Sequence, residues 1–257
     1  MKTGLIVLLL STIANTIFDP AFLRPQTAAA VTPATYSNLE AWWKADSLSL
    51  TNSAPVGGTG IEWQDESSNN RDGTQGTAGA RPLFKTSIFG SMPAIRFDGS
   101  DDTLAFTPDI SKGANDDYSV LIVGKSLNST DGELLGHATT NTQIRVNRSA
   151  GPTVSFFGNS IEAISDAFSN SLTNVHLITW RTDGTADTTS FRENKTARGS
   201  GLGTGNSELK LNRIARTSFG GFANWDIAEI VVYSRRLTDA EVDNLYDNYF
   251  KTRWGLP

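Results

Sequence analysis

The sequence predicts an all-β fold: a two-sheet antiparallel jelly-roll sandwich with a C-terminal amphipathic helix packed on it and an extended N-terminal arm. Three observations predict it. Short apolar runs recur from Leu39 onward, separated by turn signals at Gly57-Gly58, Asp72-Gly73, Asp98-Gly99, Asp131-Gly132, Asp183-Gly184 and Gly220-Gly221. The apolar run from Trp225 to Tyr233 is followed at once by a capped helical pattern. The chain has 23 glycines and no cysteine, so stability must come from burial rather than from cross-links. A strand with one apolar face has to cover it with a second sheet, and 257 residues suit one large β domain better than two small ones.

The N-terminal segment, residues 1–36, admits two readings. Lys2 followed by Leu5-Ile6-Val7-Leu8-Leu9-Leu10 has the positive start and apolar centre of a secretory signal, with Ala28-Ala29-Ala30 offering small residues for cleavage. The stretch from Asn15 to Gln26 is long for a cleavage spacer, however, and contains Phe18, Pro20, Phe22, Leu23 and Pro25. A retained arm is therefore preferred, with Leu5, Ile6, Leu8, Leu9, Phe18, Phe22 and Leu23 as assembly-docking candidates. The apolar run is too short for a membrane span, so a membrane is a partner only if the segment is an export signal. From Ala28 to Ser37 the composition becomes that of a linker.

The sandwich is expected over 37–257. Ala41-Trp42-Trp43-Lys44-Ala45 opens it, with one tryptophan inward and the other outward or under the terminal helix, because strand side chains alternate. Ile95-Arg96-Phe97 alternates, and Tyr118 to Val123 is apolar enough for a strand buried on both faces. Further strands are expected at Gln143 to Val146, Val154 to Phe157, Val175 to Trp180, Thr189 to Arg192 and Glu208 to Leu211. In the helix over 239–254, Thr238 and Glu241 form a capping box, with Asp239 and Glu241 near its start and Lys251 and Arg253 near its end complementing the dipole. Val242, Leu245, Tyr246, Tyr249, Phe250 and Trp254 form the apolar stripe, and Asp243, Asn244, Asp247 and Asn248 the opposite face.

The net charge of −5 and the lack of a basic stripe exclude a nucleic-acid backbone as partner. Without cysteine there is no thiolate metal site, and the two histidines, His137 and His176, stand far apart in sequence. Sandwich glycosidases need two carboxylates on one strand face. The nearest pair, Asp226 and Glu229, has odd separation and is expected on opposite faces, as a turn-end hydrogen bond and an exposed edge charge. His176 is expected to be packed or half-exposed within a strand, and no serine lies in an elbow motif. No catalytic or cofactor-binding residue is assigned, and the protein is expected not to be an enzyme.

Asp98, Asp101 and Asp102 are the calcium-ligand candidates, against the alternative that they cap loop N–H groups. Asp116 and Asp117 are read as solvated. Sequons at Asn128, Asn147 and Asn194 matter only on a eukaryotic secretory route, and the Gly199 to Gly205 stretch lacks the ending of a phosphate loop and is read as a connection. At least half of the six tryptophans are expected in the core, so they mark no sugar platform, and Phe219 and Phe222 are read as stapling the Gly220-Gly221 turn.

Three blocks resemble bacterial and phage members of the concanavalin A-like, laminin-G-like domains: Leu39 to Asp46, Trp63 to Gly73 and Pro93 to Asp102. The hairpin Phe191-Arg192-Glu193-Asn194-Lys195 after Asp183-Gly184 is similar to the family's central hairpin, with Lys195 where a glycine is usual. The resemblance runs from about Leu39 to Leu256. It implies a jelly roll used for glycan or protein binding. The leading reading is a non-enzymatic virion-associated structural, decoration or adhesion protein, bound through its arm to other virion or surface proteins. A homo-oligomer fits such an assembly by analogy. The alternative is a secreted bacterial carbohydrate-binding or adhesion protein with a cleaved signal peptide, and the third reading is a sandwich glycosidase or lyase.

Overall fold

In the computed structural model the described residues are 30–113, 115–128, 132–146, 153–158, 161–165, 167–168, 171–186, 188–199, 202–203, 208–218 and 220–257. In chain order the strands are β1 (Leu39–Lys44), β2 (Leu83–Phe89), β3 (Met92–Asp98), β4 (Leu104–Lys112), β5 (Tyr118–Ser126), β6 (Gly132–Gly136), β7 (Gln143–Val146), β8 (Val154–Gly158), β9 (Ile161–Ile164), β10 (His176–Asp183), β11 (Thr188–Glu193), β12 (Thr196–Ala197), β13 (Leu202–Gly203), β14 (Leu209–Ile214) and β15 (Asn224–Tyr233). Among the described residues they make two antiparallel sheets. The larger, nine-stranded, runs β12-β11-β10-β5-β15-β3-β2, with β1 also on β15 and β13 on β11; the smaller runs β4-β14-β6-β7-β8-β9.

Alternation explains how the sheets close. Val120, Ile122, Ile178, Trp180, Trp225, Ile227 and Ile230 of the larger sheet share one core with Phe106, Ile110, Leu135, Ile144, Val154, Phe156, Leu211 and Ile214 of the smaller. The other face of the larger sheet presents Leu121, Val123, Leu177, Val231 and Tyr233 to the C-terminal helix. Strands β5 and β15 thus bury apolar side chains on both faces, as the continuous run from Tyr118 predicted for β5, and Trp43 turns into the inter-sheet core while Trp42 lies under the helix.

The helix runs through Asp239–Leu245, a π-helical turn Tyr246–Phe250, and Lys251–Trp254. Its start is fixed by the capping box: Glu241 N donates to Thr238 Oγ1 at 3.2 Å and Thr238 N to Glu241 Oε2 at 2.8 Å. Arg235 forks onto the same carboxylate at 2.9 and 2.8 Å, which with these bonds pulls Glu241 down to about 2. Gly255 ends the helix at φ +66°, a conformation glycine adopts without strain. The stripe Val242, Leu245, Tyr246, Tyr249, Phe250 and Trp254 is buried. The aspartates of the opposite face are not idle. At four-residue spacing Asp239, Asp243 and Asp247 reach Arg181, Arg192 and Lys195 of the β10–β12 region, at 2.5, 2.6 and 2.7 Å.

Two expectations about β15 are corrected. Pairing shifts register between Ile227 and Glu229, where the neighbour changes from β3 to β1. That bulge turns Ala228 and Glu229 to the helix side in succession, so Asp226 and Glu229 share a face despite their odd separation. Neither is an edge group. Asp226 is fully buried in a bidentate pair with Arg96, at 2.7 and 2.8 Å. Glu229, also fully buried, accepts Trp42 Nε1 and Trp254 Nε1, each at 2.5 Å, and Tyr249 OH at 2.9 Å.

Residues 31–36 pack on the helix-side core through Val31 and Tyr36, and Tyr233 OH donates to the Pro33 carbonyl at 2.8 Å. The hairpin departure at Lys195 has a use: Asn194 takes the left-handed conformation, φ 55°, leaving Lys195 to reach Asp247.

Truncating Trp254 to alanine removes a fully buried ring and one donor to Glu229, and the expected cost in urea unfolding is about 3–5 kcal/mol. Burial pushes Glu229 up to about 7 from 4.5, against the lowering effect of its three donors. The folded state then holds an extra proton between those values, so this group's contribution to stability falls as pH rises through that window. Unfolding midpoints of the wild type and Glu229→Gln, compared at pH 5 and 7.5, should show the Glu229-linked fall in the wild type alone.

Candidate functional site

The helix covers the outer face of the larger sheet. On the smaller sheet, Ile144, Val146, Val154 and Phe156 point into the core, so strand alternation turns Gln143, Arg145 and Ser155 outward. Register puts Glu133, Arg145 and Ser155 side by side across β6, β7 and β8. Gln143 and Ser155 are 1% and 2% exposed, Thr153 just before β8 is also buried, and Gln143 Oε1, Thr153 Oγ1 and Ser155 Oγ have no hydrogen-bond partner among the described residues. Native folds rarely leave such groups unmet.

The same sheet carries a hydrogen-bonded cluster nearer its β4 edge. His137 Nδ1 accepts from Thr139 N at 3.2 Å and Thr140 N at 3.1 Å. Its proton therefore sits on Nε2, which donates to Asp109 Oδ2 at 2.9 Å. Asn212 Nδ2 donates to Asp109 Oδ1 at 3.1 Å while its Oδ1 accepts from Ala138 N at 2.9 Å. Burial pushes Asp109 up, but the His137 and Asn212 bonds outweigh it and hold the carboxyl below its ordinary range. Asp109 keeps nearly half its side chain in solvent. Beside this cluster Glu133 accepts from Thr217 Oγ1, and a Cβ on Gly221 would stand 2.5 Å from Glu133 Cδ, so a larger residue there would have to displace the carboxylate. Phe222, half-buried, closes the turn by bridging Arg216, whose guanidinium lies 5.2 Å from the ring centre. Carboxylates, amides, hydroxyls and guanidinium groups along one sheet face can hydrogen-bond a hydroxyl-rich ligand from several sides.

A separate opening of about 590 Å³ adjoins the end of the helix, lined in part by Phe89, Lys125, Asn174 and Trp254. Phe89 and Trp254 meet edge to face at 6.2 Å and 80°, both buried, so they present no free ring face there.

Other residues singled out from the sequence are placed as follows. Asp98, Asp101 and Asp102 come together, with ligand oxygens within 4.8 Å of one another. Backbone N–H groups already use two of them: Asp98 Oδ1 accepts from Ser100 N and Asp101 N, and Asp102 Oδ2 from Asp98 N. Asp116 and Asp117 are exposed, each accepting one glycine N–H, from Gly113 and Gly184. His176 is fully buried, its Nε2 2.9 Å from the Ser171 carbonyl and its Nδ1 3.0 Å from Glu193, which also pairs with Arg198 at 2.6 Å. All six tryptophans are buried, so none is a surface platform. The docking candidates Leu5, Ile6, Leu8, Leu9, Phe18, Phe22 and Leu23, together with Phe219, Asn147 and most of the Gly199 to Gly205 stretch, lie outside the described residues. Sequence reasoning missed Asp109, Gln143 and Ser155, because an isolated polar residue in a strand becomes legible only once its neighbours across the sheet are known.

No family model matches the sequence, and no curated protein matches it. Solved structures do. Domain 4 of an extracellular GH43 arabinanase from Geobacillus stearothermophilus, in complex with arabinotriose, is similar at TM-score 0.58 and 15% identity, over 82% of this chain and 98% of that one. The sialidase of Trypanosoma rangeli is similar at 0.53 and 13%, and the binding domain of Paraclostridial Mosquitocidal Protein 1 at 0.54 and 18%. The chain spans 33% of the sialidase structure and 55% of the mosquitocidal one. These likenesses show the class of fold, a two-sheet β-sandwich. They also correct the expectation that the protein is not an enzyme, since the similar structures include parts of an arabinanase and of a sialidase.

Burial and the neighbouring Asp98 and Asp101 charges push Asp102 up to about 6 from 3.8. The contribution of this group to stability is full below 3.8 and is lost as pH rises to about 6. Asp102→Asn, which keeps an oxygen for the Asp98 N–H, should be more stable than the wild type at pH 7.5 in urea unfolding and equal to it at pH 3.5.

Proposed function

We propose that residues 31–257 form a carbohydrate-recognition module of a glycan-active or surface-directed protein, a jelly roll whose ligand lies across the outer face of β14, β6, β7 and β8. The observation that carries this reading is the set of unpartnered buried oxygens on Gln143, Thr153 and Ser155 beside the Asp109–Asn212–His137 cluster. Sugar hydroxyls both donate and accept, so they can meet these oxygens and the neighbouring carboxylate together. The similarity to an arabinanase domain in complex with arabinotriose supports a neutral oligosaccharide as the first ligand to try. Where the module works, on a virion or as a secreted protein, is a further proposal resting on the N-terminal segment, and the intact mass of the native protein separates a retained arm from a cleaved one.

Calorimetric titration with arabinotriose, alongside a panel of neutral and acidic oligosaccharides, tests the reading. At least one neutral oligosaccharide should bind, and Gln143→Ala and Asn212→Ala should each weaken it about fivefold, the equivalent of one net hydrogen bond of about 1 kcal/mol. Absence of binding across the whole panel overturns it.

A further inference from the structure

The chain carries 22 lysines and arginines against 27 aspartates and glutamates, yet one small region concentrates cations. Where β10 and β11 meet the first turns of the helix, a pocket of about 400 Å³ is lined by Arg181, Ser190, Arg192, Lys195, Arg236 and Asp239, among others. The helix aspartates answer three of these four cations. Asp239 Oδ1 lies 2.5 Å from Arg181 and 3.4 Å from Arg192, Asp243 lies 2.6 Å from Arg192, and Asp247 lies 2.7 Å from Lys195. Arg236 has no ion pair among the described residues. Its Nη2 reaches Ser190 Oγ only at 3.5 Å, and its Nη1 is buried without a partner.

A second unmet donor belongs to Arg181. This side chain is only 5% exposed; Nη1 donates to the Leu237 carbonyl at 2.8 Å and Nη2 to Asp239, but Nε donates to nothing. Burial, reinforced by the Arg236 and Arg192 charges, holds Arg181 below its ordinary value despite Asp239. A negative charge placed between these guanidinium groups would relieve that strain on the ionised form. Two arginines with free N–H groups beside a serine hydroxyl suit an oxygen anion, because guanidinium donors match carboxylate and sulfate geometry. Burial makes each such charge-assisted bond stronger than the same bond in water. The volume lies within the range of small-ligand sites.

We propose that this pocket binds an acidic sugar through its carboxylate or sulfate, held by Arg236, Arg181 and Ser190. The carrier being a sugar rests on the glycan reading above; the anion does not, and the pocket lies on the opposite sheet from the proposed neutral-glycan face. The full chain should be titrated with glucuronic acid, glucose 6-sulfate, inorganic sulfate and glucose, with Arg236→Ala as the variant. Arg236 is partly exposed and outside any ion pair among the described residues, so its removal should leave the melting temperature unchanged.

Binding of glucuronic acid or glucose 6-sulfate, weakened at least tenfold by Arg236→Ala and by raising the salt, with glucose inert, supports the proposal, and the two acids show which group is preferred. Binding of inorganic sulfate alone, or of either acid with unchanged affinity in Arg236→Ala, overturns it, as does binding of no acid at all. If no acid binds while arabinotriose does, the pocket assignment falls and the glycan reading stands. If an acid binds with Arg236 dependence while every neutral oligosaccharide fails, the outer-face reading falls alone.

Discussion

A single buried carboxylate joins the last strand to the first and to the helix. Glu229 sits on the helix side of the central strand β15 and takes hydrogen bonds from Trp42 of β1 and from Tyr249 and Trp254 of the helix. An ionisable group buried without partners would be severely destabilising, so the three donors are what make its burial tolerable. Because they come from two separate elements, the carboxylate also selects how the helix lies: only one placement brings Tyr249 and Trp254 to it together. The apolar stripe supplies most of the attraction, which is non-directional, whereas Glu229 and the Asp239, Asp243 and Asp247 ladder fix the angle and the depth.

This arrangement divides the work between the two sheets. The larger is covered on both sides, and its central strands bury apolar side chains on both faces, with Asp226 and Glu229 as paired exceptions. The smaller has the core on one side and polar side chains on the other, and those side chains include oxygens without a hydrogen-bond partner among the described residues. The two candidate binding regions follow the same division. One lies on the outer face of the smaller sheet; the other lies at the rim where the helix meets the outer face of the larger, and there cations gathered to hold the helix exceed the aspartates that answer them.

Much of this was legible in the sequence. Thr238 and Glu241 marked the helix start because a capping box is local, and Tyr118 to Val123 marked a doubly buried strand because its composition leaves no polar side. Strands β2, β4 and β6 were passed over: β4 carries Thr107, Pro108 and Asp109 in succession, and β6 is bounded by glycines, so neither shows a clean alternation. The fate of Glu229 was unreadable for a different reason. Alternation holds only in a regular strand, and the bulge at Ala228 depends on the change of partner from β3 to β1, more than a hundred residues away in sequence. The candidate site was hidden likewise, since Gln143, Ser155 and Asp109 acquire meaning only from cross-strand register, and the Asp243 and Asp247 positions looked like a solvated face until the β11–β12 hairpin was set beside them.

The pairing of β15 with β1, β3 and β5 has a consequence for how the molecule comes into being. The strand at the centre of the larger sheet follows all of its neighbours in sequence, and until it is made β5 and β3 have no common neighbour and β1 has no partner strand. A nascent polypeptide that has reached residue 223 therefore carries an unclosed set of strand edges. Those edges close only when residues 224–233 emerge, and a message cut short before them yields a product without the middle of its own larger sheet.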